Sequence, residues 1–151
     1  MILFVHMLLG ALTGQKVSSP VLAIVLAFLS HYFLDFIPHA EYGVENIKEK
    51  QWAKARTEIF KVLLDFTFGI LFIFLFSKNF PIIYICAFFA ILPDGLTVLN
   101  SILPNKILKM HKNIHSEKIH FLKYKKISMF WRVSTQAVVV IICIYILSFP
   151  T

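Results

Sequence analysis

The chain has 151 residues, of which 58% are hydrophobic and 15% charged, with 16 Phe and a mean hydropathy of +0.77. Apolar residues at that density, gathered in blocks, exclude an ordinary soluble domain and describe one small polytopic membrane domain over residues 1–151. The net charge of +7 comes from 15 Lys and Arg against 8 acids, and the basic residues lie between apolar blocks, which suits anionic lipid headgroups rather than nucleic acid.

Five apolar segments are predicted, at about 1–14, 19–38, 59–77, 80–103 and 133–149, giving an all-α membrane bundle. The first, "MILFVHMLLGALTG", reaches about 21 Å at 1.5 Å per residue, short of a hydrocarbon core of about 30 Å. It lacks the positive n-region and the cleavage site of a secretory signal, so it reads as a short or half-inserted helix packed on a neighbour. Gly10 and Gly14 form a GxxxG that lets another backbone approach closely.

The second segment ends in "SHYFLDFIPH", which places His31, Asp35 and His39 four residues apart in apolar surroundings. An ionisable side chain near the centre of a bilayer costs at least about 2.5 kcal/mol, so it has a partner or a task. His31 and Asp35, at i and i+4, share a helix face, a spacing that lets two side chains hold one metal ion. His39 follows Pro38, where the helix is ending, and an ideal helix turns it roughly 80° from His31. It serves a second ion, is bent back toward His31 by the helix end, or is a polar helix end at the headgroups.

After it, "VENIKEKQWAKARTEIF" puts Val44, Ile47, Ala55 and Ile59 on one stripe, an amphipathic loop helix. In the third segment Asp65 follows Lys61 by four residues, which fits an ion pair as well as a site role. In the fourth, "LPDG" combines Pro93, which frees a carbonyl one turn earlier, with Gly95, which loosens the helix. Asp94 is then a ligand or bridging carboxylate, or the cap of a kinked helix. The next loop, "LKMHKNIHSEKIHFLKYKKISMFW", mixes Lys with apolar and aromatic residues as an interfacial helix does. It holds His111 and His115 at i and i+4, then Glu117 and His120. His115 is favoured as a ligand because Ile114 and Ile119 flank it. Cys86 and Cys143 fall inside apolar blocks and read as packing residues.

Basic residues set the orientation. Lys48, Lys50, Lys54, Arg56 and Lys61 lie in or beside one long loop, and Lys106, Lys109, Lys112, Lys118, Lys123, Lys125, Lys126 and Arg132 in the other. Only Lys16 and Lys78 fall in the remaining connections. Both long loops are therefore expected in the cytoplasm, with the N-terminus inside and, after five spans, the C-terminus outside. That topology gathers His6, His31, Asp35, His39, Asp65, Asp94 and the loop histidines in one leaflet. His6 alone would be a satisfied core histidine; the convergence makes it a candidate ligand.

An early His before glycines, the "SHYFLDFIPH" helix, a later "LPD" and a His-rich basic loop resemble small bacterial integral membrane proteins described as metal-dependent hydrolases, which are distantly similar to the zinc-dependent phospholipase C group. In that group HxxxD and HxxxE pairs hold zinc; His31 and Asp35 match HxxxD, and the chain has no HxxxE pair. The resemblance implies a bacterial inner membrane and a lipid-directed hydrolase.

The leading reading is a hydrolase of a lipid or lipid-linked phosphoester. A divalent metal, most simply Zn²⁺, is held by His31 and Asp35 with some of His39, Asp94, His115 and His6, and Asp35 and Asp94 act as the catalytic carboxylates. Membrane lipids with anionic headgroups are the expected partners. A proton or metal-ion transporter, or a non-enzymatic scaffold, remain as alternatives. The chain has no G-x-S-x-G, Walker A or CxxC motif.

Overall fold

The computed structural model describes residues 2–115, 119 and 127–149. The described residues form helices and connections, with no strand: α1 (Leu3–Lys16), α2 (Pro20–Asp35), α3 (Glu45–Lys48), α4 (Trp52–Phe76), α5 (Pro81–Ile102), α6 (Lys106–Asn113) and α7 (Met129–Ser148). At 1.5 Å per residue, α4, α5 and α7 with 25, 22 and 20 residues are each about 30 Å or longer, and all three are long and apolar enough to cross a membrane. With 14 and 16 residues, α1 and α2 reach only about 21 and 24 Å.

Polar contacts at the helix ends show how the elements run. The C-termini of α1, α4 and α7 meet at one end: Gln15 Nε2 donates to the Leu147 carbonyl at 2.8 Å, and the Lys78 amide donates to Gln15 Oε1 at 3.0 Å. At the opposite end lie the start of α1, the end of α2 and the start of α7. There Arg132 donates to the His39 carbonyl at 3.2 Å, Gln136 to Ala40 at 2.7 Å, and Thr135 to the Pro38 carbonyl. Five helices thus run between the same two ends, and α7 donates to the carbonyls of Pro38, His39 and Ala40 in the irregular segment 36–44.

The short α1 is the centre of the bundle, with Val5, His6, Met7, Leu8, Gly10, Ala11 and Gly14 buried. The GxxxG accounts for this. A Cβ added at Gly10 would stand 2.6 Å from both Ala90 Cβ and the Cys86 carbonyl oxygen, and one at Gly14 2.8 Å from Ile83 Cα. Only glycine lets α1 and α5 come this close. On the opposite side Gly69 of α4 makes room for the Met7 side chain. Met7, Leu8, Ala11, Ile73, Ile83, Ala87, Cys143 and Leu147 form the main buried cluster, and Cys86 and Cys143 are free, buried thiols.

Outward faces are apolar: Phe60, Phe74 and Leu75 on α4 and Phe130, Trp131 and Ile141 on α7 are all more than half exposed. A soluble monomer rarely shows contiguous apolar patches beyond a few hundred Å², and here the buried side chains include His, Asp and Gln. Apolar outside and partly polar inside is the arrangement of a membrane protein.

Two expected elements differ in detail. The stripe over 44–60 is not one loop helix: α3 stops after one turn, Lys50 takes a positive φ of 58°, and Trp52 starts a helix that continues into the third apolar segment. Glu58 ties the two pieces together by accepting from the amides of Asn46 and Ile47 at 3.2 and 3.0 Å. In the second long loop α6 is a short helix with Leu108 and His115 buried; Glu117, Lys118, His120, Lys123, Lys125 and Lys126 lie outside the described residues.

Candidate metal centre

Three helices and one loop bring the site together. α2 supplies His31 and Asp35 from its last two turns, and both are fully buried. The helix ends at Asp35, three residues before Pro38; its C-cap Phe36 keeps helical dihedrals, and a proline disfavours helix at the residue just before it. α5 supplies Asp94 from the turn after Pro93. Contrary to a broken-and-capped helix, α5 runs unbroken through Pro93. His115 arrives from the turn that extends α6, whose inner face is Leu108, His111 and His115, spaced by three and four residues.

Asp35 Oδ2 lies 3.1 Å from His31 Nε2 and 3.2 Å from His115 Nε2. The two histidine nitrogens are 2.8 Å apart, and Asp94 Oδ1 is 3.7 and 3.8 Å from them. One ligand atom from each of His31, Asp35, Asp94 and His115 falls within 4.8 Å of all the others, so the group could hold a metal ion. In a tetrahedral zinc site with bonds of about 2.0–2.1 Å, neighbouring ligand atoms stand roughly 3.3 Å apart. The five separations bracket that value, and two imidazoles with two carboxylates are a donor set for a divalent metal ion.

The backbone fixes the tautomer of His31. Its Nδ1 is 2.8 Å from the Ala90 carbonyl oxygen, which can only accept, so Nδ1 is a donor and Nε2 is the nitrogen that faces the cluster. His111, expected as a possible ligand, instead donates Nε2–H to the Pro93 carbonyl at 3.0 Å. It packs on His115 with ring centroids 5.6 Å apart, and His115 stacks on His31 at 5.0 Å. His6 covers the other face of the column, 4.1 Å from His31. Tyr32 stands edge-on to His31, His111 and His115.

Four of the six candidate ligands thus share Asp35 Oδ2 or lie beside it. His6 and His39 face the other oxygen: Asp35 Oδ1 is 3.3 Å from His6 Nε2 and 3.8 Å from His39 Nε2. Glu41, which sequence reasoning passed over, is 2.9 Å from His39 Nε2; its signal was a His-x-Glu in the polar stretch after Pro38.

Asp65 has a structural task. It accepts from the Tyr42 hydroxyl at 3.1 Å and from the backbone amides of Phe4 and Leu3, capping α1, whose own N-cap residue Ile2 makes no side-chain bond. Burial, and then the Asp65 carboxylate beside it, pushes the Tyr42 phenol up, so it stays a donor.

The cluster is open at Asp94. His31, Asp35 and His115 are buried, whereas the Asp94 side chain is 32% exposed and a Cβ on Gly95 would meet nothing within 4 Å. Near this end, Lys106, Lys109 and Lys112 line a groove of about 510 Å³ with Asn100, Asn105 and Asn113. No family model, curated protein or solved structure matches the chain.

Proposed function

We propose that the protein is a membrane-embedded, metal-dependent hydrolase that cleaves a lipid or lipid-linked phosphoester at the cytoplasmic leaflet of a bacterial inner membrane. The observation that carries this reading is the convergence of His31, Asp35, Asp94 and His115 in an otherwise apolar bundle, within 4.8 Å of one another. Buried imidazoles and carboxylates of this kind are costly in a membrane and are kept for a task. The resemblance of "SHYFLDFIPH" to the membrane hydrolases points the same way.

His31, Asp35, Asp94 and His115 would hold the ion, most simply zinc, which would supply a bound water of lowered pKa and a Lewis acid for a phosphoryl oxygen. The chain supplies the rest. The Ala90 carbonyl holds His31 in the ligating tautomer. Asp94, on the open side, is the carboxylate placed to take a proton from water entering there. Lys106, Lys109 and Lys112 attract an anionic headgroup, while the apolar outer faces leave the acyl chains in lipid. Five crossings with both long loops in the cytoplasm would set the site at the inner leaflet; in support, α1, α2, α4, α5 and α7 run between the same two ends, and thirteen of the fifteen basic residues fall in or beside the two long loops of the sequence.

The test is turnover in proteoliposomes on a panel of anionic phospholipids and lipid pyrophosphates. Phosphoester cleavage that a chelator abolishes and Zn²⁺ restores, and that Asp35→Asn lacks, is expected. Cleavage surviving both the chelator and Asp35→Asn contradicts the mechanism. Activity is also expected to weaken at high salt, because surface attraction is screened within about 8–10 Å.

A further inference from the structure

We propose that the groove between α5 and α6 binds a phosphorylated polyol, the glycerol phosphate or sugar phosphate that forms the outer part of a lipid headgroup whose inner phosphoester lies at the metal cluster. This rests on the hydrolase reading above and narrows its substrate class. The groove, of about 510 Å³, is lined by Asn100 from the end of α5 and by Asn105, Lys106, Lys109 and Lys112. That volume is within the usual range of a small-ligand site, about 300–1,000 Å³.

Its charge is arranged for an anion. Asn105 caps α6 by accepting from the Leu108 amide at 2.9 Å, which leaves the amides of Lys106 and Ile107 without a helical acceptor. The positive end of a helix favours Asp or Glu, yet this first turn has no acid, and the sequence has none between Asp94 and Glu117. Lys106 and Lys109 add charge of the same sign as the helix end. Lys106, Lys109 and Lys112 also follow one another at spacings of three, where like charges repel. None of the three makes an ion pair among the described residues. The end of α5 does not call for them, since Lys50 Nζ donates to the Ile102 carbonyl at 3.2 Å. A phosphate offsets the helix end and the lysines together.

Asn100 is the independent sign of a ligand, and it narrows the kind. It is 8% exposed, it lines the groove, and its Oδ1 has no hydrogen-bond partner. A buried amide oxygen without a donor is costly. No protein group supplies that donor, so it is left to what fills the groove. Lysines and helix amides donate, whereas Oδ1 only accepts. The ligand therefore needs charged acceptor oxygens and, beside them, a hydroxyl. A phosphate on a polyol has both; a quaternary ammonium headgroup has no hydroxyl to give and would face three lysines.

The separation sets the length of the headgroup. Asn100 stands six residues beyond Asp94 on α5, about 9 Å at 1.5 Å per residue, and Lys109 stands six before His115. The two phosphates of a diphosphate share an oxygen and cannot reach both places. A glycerol or sugar between two phosphates can.

The experiment titrates glycerol 3-phosphate and inorganic phosphate into the full chain in phosphatidylcholine nanodiscs, by calorimetry. Chelator is present, so the groove is read without the metal site. Glycerol 3-phosphate is expected to bind about 5-fold more tightly than phosphate, the worth of one hydrogen bond. Lys106→Gln combined with Lys109→Gln, both exposed positions, is expected to lose both anions. Asn100→Leu is expected to abolish the preference, keep the phosphate and, since it removes a partnerless oxygen, melt no lower than wild type. No binding of either anion, binding that the lysine pair leaves unchanged, a preference that survives Asn100→Leu, or a lower melting temperature in that variant overturns the site. A second arm adds phosphatidylglycerol phosphate, a lipid with two phosphates across a glycerol, to the discs. It is expected to compete with glycerol 3-phosphate; absence of competition overturns the headgroup assignment and gives the groove to a soluble polyol phosphate. Zinc content and turnover are measured on separate samples. Their absence overturns the hydrolase reading, while the titrations in chelator still decide the groove.

Discussion

His31 is joined to Ala90 through a 2.8 Å contact between its Nδ1 and the backbone carbonyl, in the turn of α5 that also holds Pro93 and Asp94. Backbone geometry in one helix therefore sets which nitrogen of a histidine in another is available to a metal. His31→Ala removes a ligand and leaves this carbonyl without its donor. Loss of zinc affinity by more than about 100-fold is expected, since changes to supporting groups alone cost about 10–100-fold. Membrane insertion should persist, because it depends on apolar length. Competition titration against a chelating dye measures the first, and membrane fractionation the second.

The approach of α1 to α5 makes a prediction about stability. Gly10→Leu would drive its side chain into Ala90 and the Cys86 carbonyl, both 2.6 Å from a Cβ at that position. Overpacking of this kind costs about 1–3 kcal/mol or more, because backbone cannot step aside. The unfolding temperature in detergent is expected to fall clearly. Gly95→Ala, where nothing lies within 4 Å, is expected to leave it unchanged or raise it slightly.

Asp65 separates structural from functional carboxylates. Asp65→Asn weakens the cap on α1 and the bond from Tyr42, and about 1–2 kcal/mol of stability is expected to go with it. Zinc content should stay at the wild-type value. A loss of zinc equal to that of Asp35→Ala would give Asp65 a place in the site.

Topology is testable with fusions. Reporters placed near residue 50 and near residue 118 are expected to report cytoplasm, and one at the C-terminus the outside, as the distribution of basic residues requires. A cytoplasmic C-terminus would show that one of the five helices does not cross; α1 and α2, at about 21 and 24 Å, are the two short enough for that.

How legible this was in the sequence differs between features. The spacing of His31 and Asp35 and the GxxxG of Gly10 and Gly14 are local patterns, and a local pattern survives translation into a helix with little ambiguity. Five helices were legible for the same reason. The break at Lys50 was not, because a positive φ at a lysine leaves no mark in hydrophobic periodicity. Nor was the division between His115 and His111: both lie on the inner face of α6, and only the position of the Pro93 carbonyl decides which becomes the supporting donor. Glu41 was passed over because a carboxylate in a polar stretch looks solvated until the fold brings His39 to it. The spacing of His31 and Asp35 and the gathering of the other candidates in one leaflet are legible in the sequence. The partition of the candidates between Asp35 Oδ1 and Oδ2 is a matter of a few ångströms that no sequence pattern encodes.

The most direct test of the metal centre is X-ray absorption at the zinc edge on purified, zinc-loaded protein. The geometry predicts a first shell of nitrogen and oxygen only, at about 2.0–2.1 Å, with the outer scattering of imidazole rings, and its loss in Asp35→Ala. No bound zinc, or a shell containing sulfur at about 2.3 Å from Cys86 or Cys143, would contradict it.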